Sequence, residues 1–150
     1  PGQTSQKAIR AGTLERKLMA SIGNASKSIE TDIKKQSGIR QADKLIGQLR
    51  SPNEKVRVAA STRLAGMGKG LSKSQVDQII HIMRNGRENW SRHYTKGSCR
   101  YLETTSVKFY AANSLRNMKS PSVSQTIKSE ADSTKHRAKT KKKVSNVRIV

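Results

Sequence analysis

The densest cluster of chemically capable side chains lies between residues 87 and 103, where aromatic rings alternate with cations. The cluster comprises Arg87, Trp90, Arg92, His93, Tyr94, Lys96, Arg100 and Tyr101. Aromatic rings can stack on exposed nucleobases while neighbouring cations contact phosphates, and an arginine can donate two parallel hydrogen bonds to one phosphate. The segment is therefore a candidate nucleic-acid-binding element. In the alternative interpretation its three aromatic rings pack the segment onto the rest of the fold and its charges are solvated.

The same segment permits a catalytic hypothesis. His93 would act as general base or acid with Tyr94 or a second histidine as its partner, and Arg92 or Lys96 would stabilise the charge that develops on a phosphoryl group. Such a residue set would suit a small basic ribonuclease of the kind found among bacterial toxins. Because the sequence places no second acid or base beside His93, we favour a nonenzymatic protein and keep the ribonuclease as an alternative.

No pattern in the sequence indicates a metal or a cofactor. Three scattered histidines, the single cysteine Cys99 and ten dispersed acidic residues give no recognisable ligand spacing. The glycine-rich stretch 66–70 has neither the spacing of a phosphate-binding loop nor a strand before it. We therefore expect no metal site and no cofactor.

The net charge is the second strong feature of the chain. Thirty-one lysines and arginines face ten acidic residues, which gives a charge of +21 spread along the sequence. A charge of this size indicates a polyanionic partner. We expect RNA or DNA bound with low sequence specificity, and an acidic protein in a larger assembly is the alternative. Outside residues 87–103, the candidate phosphate contacts are Lys55, Arg57, Arg63, Lys108, Lys139, Lys141, Lys142 and Lys143.

Composition limits the size of the core and the location of the protein. With 150 residues the chain has the length of one domain, and its apolar content of 33% is low. A single cysteine and the absence of an apolar run long enough to span a bilayer favour an intracellular protein. An exported chain that has lost its signal peptide would have the same sequence features.

Two stretches of the sequence, 51 residues apart, carry the same apolar spacing. Their stripes are Val56, Ala60, Leu64 and Met67 in the first copy, and Val107, Ala111, Leu115 and Met118 in the second. The spacing is that of one face of an α-helix. The small residues in the middle of each stripe predict close approach of a second helix.

The first copy also resembles a known repeat family. Its motif is Pro52, then Val56-Arg57, Ala60, Leu64 and Met67-Gly68. This pattern resembles the second helix of a HEAT-like repeat of the armadillo and PBS-lyase type, and the resemblance extends over residues 39–127. It implies an all-α fold, a short solenoid of two helix pairs, whose function is binding or scaffolding within a complex.

The sequence predicts four parts for this all-α fold. They are a flexible arm at 1–12, an amphipathic helix at 13–38, a HEAT-like repeat domain at 39–131 with a loop insertion at 87–103, and a basic tail at 132–150. Ser72 is predicted to cap a helix of the repeat domain, with Gln75 three residues later. The tail has almost no apolar residues, so we expect it to fold only on a partner.

Overall fold

The computed structural model describes residues 27–146 of the chain. The chain divides into two units, Pro1–Gly38 and Ile39–Val150. The second unit contains the buried core and all the strands of the described residues.

In the first unit, the described residues 27–38 are helical and exposed along nearly their whole length. Ile29 and Ile33 of the predicted amphipathic helix are both more than half exposed. The predicted arm at 1–12 and the first half of the predicted helix, 13–26, lie outside the described residues.

The described residues form five α-helices and three β-strands. The helices are α1 (27–48, of which 39–48 belong to the second unit), α2 (Glu54–Gly66), α3 (Lys73–Asn85), α4 (Val107–Asn117) and α5 (Gln125–Ala138); the strands are β1 (Asn89–Lys96), β2 (Cys99–Ser106) and β3 (Lys139–Asn146). The fold is therefore mixed α/β, and the prediction of an all-α solenoid is wrong. The error lies in two segments, the insertion and the basic tail, which together form the sheet.

Helix α4 is the centre of the helical layer, because it packs against α2, α3 and α5. Its predicted stripe is completely buried, and so is the middle of the stripe on α2. The fully buried members of the two stripes are Ala60, Leu64, Val107, Ala111, Leu115 and Met118. The two copies of the repeated helix thus supply much of one continuous core.

The repeated helices pack directly on each other through small and polar side chains. Ala60 on α2 and Ala111 on α4 are fully buried. The Asn113 amide nitrogen donates to the Ser61 hydroxyl at 3.0 Å, and the Ser114 hydroxyl donates to the Ser61 carbonyl at 3.0 Å. These contacts agree with the close approach that the small residues predict.

Helix α3 begins at the predicted cap. The Ser72 hydroxyl accepts from the Gln75 amide at 3.2 Å, and the Gln75 side chain accepts from the Ser72 amide at 3.0 Å, which forms a capping box. The Gln75 side-chain nitrogen also donates to the Ile39 carbonyl and the Asp43 carboxylate. The predicted cap is confirmed, and the same glutamine ties α3 to α1.

Residues 87–103 form a hairpin where the sequence analysis predicted a loop. Strands β1 and β2 pair antiparallel over eight residues each, from Asn89 opposite Ser106 to Lys96 opposite Cys99. The two-residue turn contains Gly97, whose φ of +63° is unfavourable for other residues. The tryptophan, tyrosines and threonines of the hairpin favour strands because their side chains pack well on a pleated surface.

The predicted tail is also structured. Residues 132–138 complete α5, and Lys139 begins β3, which pairs antiparallel with β2 in the strand order β1-β2-β3. Strand β2 runs directly into α4 at Ser106, and β3 follows α5 without a loop. The same end of the sheet, which we call its base, is therefore attached to the helices, and the turn at Gly97 marks the opposite end.

Gly86 separates α3 from β1 and leaves no room for a side chain. A Cβ atom at this position would overlap the Val107 side chain and the Ile82 carbonyl. We expect Gly86→Ala to lower the free energy of unfolding by about 1–3 kcal/mol, the usual cost of overpacking. Urea unfolding measures the change, with Gly66→Ala as control because a Cβ at Gly66 meets no atom within 4 Å. Equal stability of the two variants would contradict this packing.

Candidate nucleic-acid interface

The strand register assigns each side chain of the sheet to one of two faces, because directly opposed residues share a face. The first, called the Glu103 face, carries Trp90, Arg92, Tyr94 and Lys96 of β1, Tyr101, Glu103 and Thr105 of β2, and Lys139, Lys141 and Lys143 of β3. The second, called the His93 face, carries Asn89, Ser91, His93 and Thr95 of β1, Arg100, Leu102, Thr104 and Ser106 of β2, and Thr140 and Lys142 of β3.

At the base of the Glu103 face, Arg57 of α2 is buried between two aromatic rings. Its guanidinium carbon lies 3.9 Å from the Trp90 ring centroid and 5.1 Å from that of Tyr110 on α4. One guanidinium nitrogen donates to the Ser51 carbonyl at 2.7 Å, and the residue is only 4% exposed. Cation–π contacts gain strength when they are desolvated. Arg57 and Trp90, both candidate nucleic-acid contacts in the sequence analysis, therefore hold the hairpin against the helices.

Glu103 is the centre of an ion cluster on the same face. Its side chain is 4% exposed and lies 3.3 Å from an Arg92 nitrogen, 3.6 Å from the Lys141 nitrogen and 4.0 Å from the Lys139 nitrogen. Arg92 and Lys141 are its directly opposed partners on the two neighbouring strands. One buried carboxylate thus links a cation of β1 with two lysines of β3.

Towards the turn, Tyr94 and Tyr101 stack on each other across the two strands. Their ring centroids are 5.3 Å apart and the rings are within 17° of parallel. The Arg92 guanidinium carbon lies 5.5 Å from the Tyr94 centroid. A hydrogen bond with the Cys99 side chain raises the pKa of Tyr101 above its ordinary value. The pair is an aromatic platform surrounded by cations.

The residues of the catalytic hypothesis lie on opposite faces of the sheet. His93 lies opposite Leu102, with Lys142 as the next partner on β3. Tyr94, Arg92 and Lys96 occupy the other face, since alternate residues of a strand point to opposite sides. Within the described residues, no hydrogen bond or ion pair involves the His93 side chain.

The remaining candidate cations lie outside the sheet. Lys55 and Arg63 are exposed on α2. Arg87 and Lys108, which are distant in sequence, line one cavity of about 660 Å³ at the base of the His93 face, and Arg137 of α5 lines it too. The structure therefore brings Arg87 and Lys108 together and leaves Lys55 and Arg63 apart from that cavity.

Compared with known proteins, the chain matches no family model, no curated protein and no solved structure. The resemblance of residues 39–127 to HEAT-like repeats stays a prediction. Among residues 27–146, no group of three or more histidines, cysteines or acidic residues could hold a metal ion. The helices in this part of the chain are all too short or too polar to cross a membrane.

Sequence reasoning missed three residues that organise this region. Glu103 looks like any other acid until the strand register places it between two basic strands. Tyr110 lies within a helical repeat and shows no sign of contacting a cation. Arg137 could be grouped with the cavity only after α5 was positioned, because no sequence spacing relates it to Arg87 or Lys108.

The buried position of Arg57 predicts a specific loss of stability. Arg57→Gln removes both ring contacts, and we expect the free energy of unfolding to fall by about 2 kcal/mol. Trp90 is the only tryptophan, so its fluorescence should shift to longer wavelength and report the same transition. Arg63→Gln, on the exposed side of the same helix, should change neither quantity. Equal effects of the two substitutions would contradict the burial of Arg57.

A double-mutant cycle tests the ion cluster. Glu103→Gln and Lys141→Gln should couple by about 0.5–1 kcal/mol in urea unfolding, because the two side chains interact directly. Glu103→Gln and Lys142→Gln should be additive, since Lys142 lies on the opposite face. Coupling of the same size for both lysines would show a general charge effect instead of the cluster.

Proposed function

We propose that this chain is a nonenzymatic binding or structural protein that contacts nucleic-acid phosphates through its three-stranded sheet. One observation carries the proposal: the cations of the insertion and the lysines of the C-terminal segment are neighbours in a single sheet. Sequence reasoning had identified both groups as candidate phosphate contacts without a reason for them to meet. Each face of the sheet pairs a cation of the hairpin with a lysine of the C-terminal segment, Lys96 with Lys143 on the Glu103 face and Arg100 with Lys142 on the His93 face, which supports a shared ligand.

The charge balance of the sheet supports a polyanion. Its strands contain seven cations, Arg92, Lys96, Arg100, Lys139, Lys141, Lys142 and Lys143, and their single acid is Glu103, which leaves a net charge of +6. Glu103 is occupied within the sheet. Among the described residues, no carboxylate lies within 4.0 Å of the charged nitrogens of the other four cations: Lys96, Arg100, Lys142 and Lys143.

The spacing of these cations suits a phosphate backbone. Residues two apart on one strand, such as Lys141 and Lys143, are separated by about 6.8 Å. This is about twice the axial distance of 3.4 Å between phosphates on one strand of a DNA duplex. Because phosphates wind around the helix axis, neighbouring phosphates lie farther apart than this axial rise, so a backbone lying along β3 would meet a lysine at intervals of one to two phosphates.

The tyrosine pair adds a second kind of contact. Tyr94 and Tyr101 lie next to Lys96 and Lys143 in the half of the sheet that is remote from the base. Stacking on aromatic rings tolerates any base, and phosphate contacts carry no sequence information. We therefore propose that RNA or DNA is bound with low sequence specificity. An acidic protein would meet the same charges, but it offers no reason for a partly exposed pair of stacked rings.

The proposal predicts that binding weakens steeply with salt and that the cations of the sheet cause this dependence. For a fluorescently labelled single-stranded oligonucleotide, the logarithm of the association constant should fall linearly with the logarithm of salt concentration. Replacing both Lys142 and Lys143 with Gln should weaken binding, and each lost contact should reduce the slope by about one. Fluorescence anisotropy at several salt concentrations measures both effects.

Lys69→Gln is the matched control for this experiment. Lys69 follows the C-terminal end of α2, which lies about 20 Å from the N-terminal end that faces the sheet. The control should retain the affinity and the slope of the original chain. Binding that is insensitive to salt, or lost equally in all variants, would contradict the proposal, and an acidic protein that competes better than the oligonucleotide would favour the alternative partner.

A further inference from the structure

The cavity at the base of the His93 face is separate from the array of sheet cations. It has a volume of about 660 Å³ and lies where the end of α3, the start of α4 and the end of α5 meet the sheet. Besides Arg84, its lining includes three cations, Arg87, Lys108 and Arg137. These come from three different parts of the chain, so the fold itself creates the cluster.

The cavity also contains one ion pair that is complete in itself. Arg84 donates two hydrogen bonds of 2.8 Å to the two carboxylate oxygens of Glu130. The hydrogen bond from Arg84 is the main cause of a lowered pKa at Glu130, so the pair favours the ionised carboxylate. The pair contributes no net charge to the cavity.

The three other cations are uncompensated. Among the described residues, no carboxylate lies within 4.0 Å of the charged nitrogens of Arg87, Lys108 or Arg137. The cavity therefore carries an excess charge of +3 from these side chains. Side chains of Asn89 and Ser106 add polar groups to its wall, and Met83 and Ala138 add apolar surface.

We propose that this cavity binds a phosphate monoester attached to a larger group, as in a nucleotide. A phosphate monoester carries a charge of about −1.5 to −2 near pH 7 and three strong acceptor oxygens, which suits three convergent cations. Two of these cations are arginines, which can each form paired hydrogen bonds to a phosphate. A volume of this size lies in the range of small-molecule sites and exceeds the space that a phosphate alone would fill.

Two sources can supply this chemistry. The monoester can be a free nucleotide or the terminal phosphate of a nucleic-acid chain that also lies on the sheet. The inference goes beyond the proposed function, since it rests on residues that the sheet array does not use. Absence of nucleotide binding in the cavity would therefore leave the proposal of nucleic-acid binding on the sheet intact, and the reverse also holds.

Binding of adenosine 5′-monophosphate to the full chain tests the cavity. We expect binding by isothermal titration calorimetry, with no detectable binding of adenosine, which lacks the phosphate. Arg137→Gln and Lys108→Gln should each weaken binding at least fivefold, and Lys69→Gln, outside both the sheet and the cavity lining, should leave it unchanged. Arg87→Gln provides a further test if either variant fails to fold, as judged by its circular dichroism spectrum.

A pair of oligonucleotides of one sequence, with a 5′-phosphate or a 5′-hydroxyl, distinguishes the two sources. Tighter binding of the phosphorylated strand that disappears in Arg137→Gln assigns the cavity to a chain end. Equal binding of both strands, together with retained binding of the nucleotide, assigns it to a free nucleotide. The inference is overturned if no phosphorylated probe binds, or if Lys69→Gln weakens nucleotide binding as much as Arg137→Gln does.

Discussion

Glu103 occupies the middle of the central strand, where its carboxylate lies between a cation of β1 and two lysines of β3. Four lysines in an eight-residue strand repel one another and their neighbours, and exposed pairs of opposite charge compensate such repulsion only weakly. A carboxylate shielded from water interacts more strongly with its partners. The third strand, and with it the cation array, depends on this single acid. Among the described residues, no carboxylate lies within 4.0 Å of the Lys142 or Lys143 nitrogen, so the cluster stabilises the sheet without neutralising it.

The sheet is held to the helical layer at its base. Strand β2 continues into α4, and α5 continues into β3, in both cases without a loop. Arg57 connects α2 with β1 and α4 through its two ring contacts. Arg57 and Trp90, which by sequence are candidate nucleic-acid contacts, are engaged in this attachment. The tyrosines and cations nearer the turn take no part in this attachment. One end of the sheet is therefore structural, and the other end is available to a ligand.

The helical part of this arrangement could be predicted from sequence, because the stripes of α2 and α4 and the cap at Ser72 are local signals. The hairpin has a local signal as well, because Gly97-Ser98 between runs rich in tyrosine and threonine is typical of a two-residue turn. The repeated helices on either side favour a loop insertion instead. Strand β3 had no such signal. A lysine-rich segment reads as solvated, and only the neighbouring strand with Glu103 makes it a strand. Likewise, Arg57 and Arg63 cannot be distinguished until the helix is packed.

Backbone amide chemical-shift mapping by NMR tests the central claim most directly. The full chain, labelled with nitrogen-15, is titrated with a short single-stranded oligonucleotide at near-physiological salt. If nucleic acid binds the sheet, the largest shifts should occur in β1, β2 and β3 on the side of the turn, around Tyr94, Tyr101 and Lys142. Shifts concentrated in α3 or in residues 27–38, with the sheet unchanged, would contradict it.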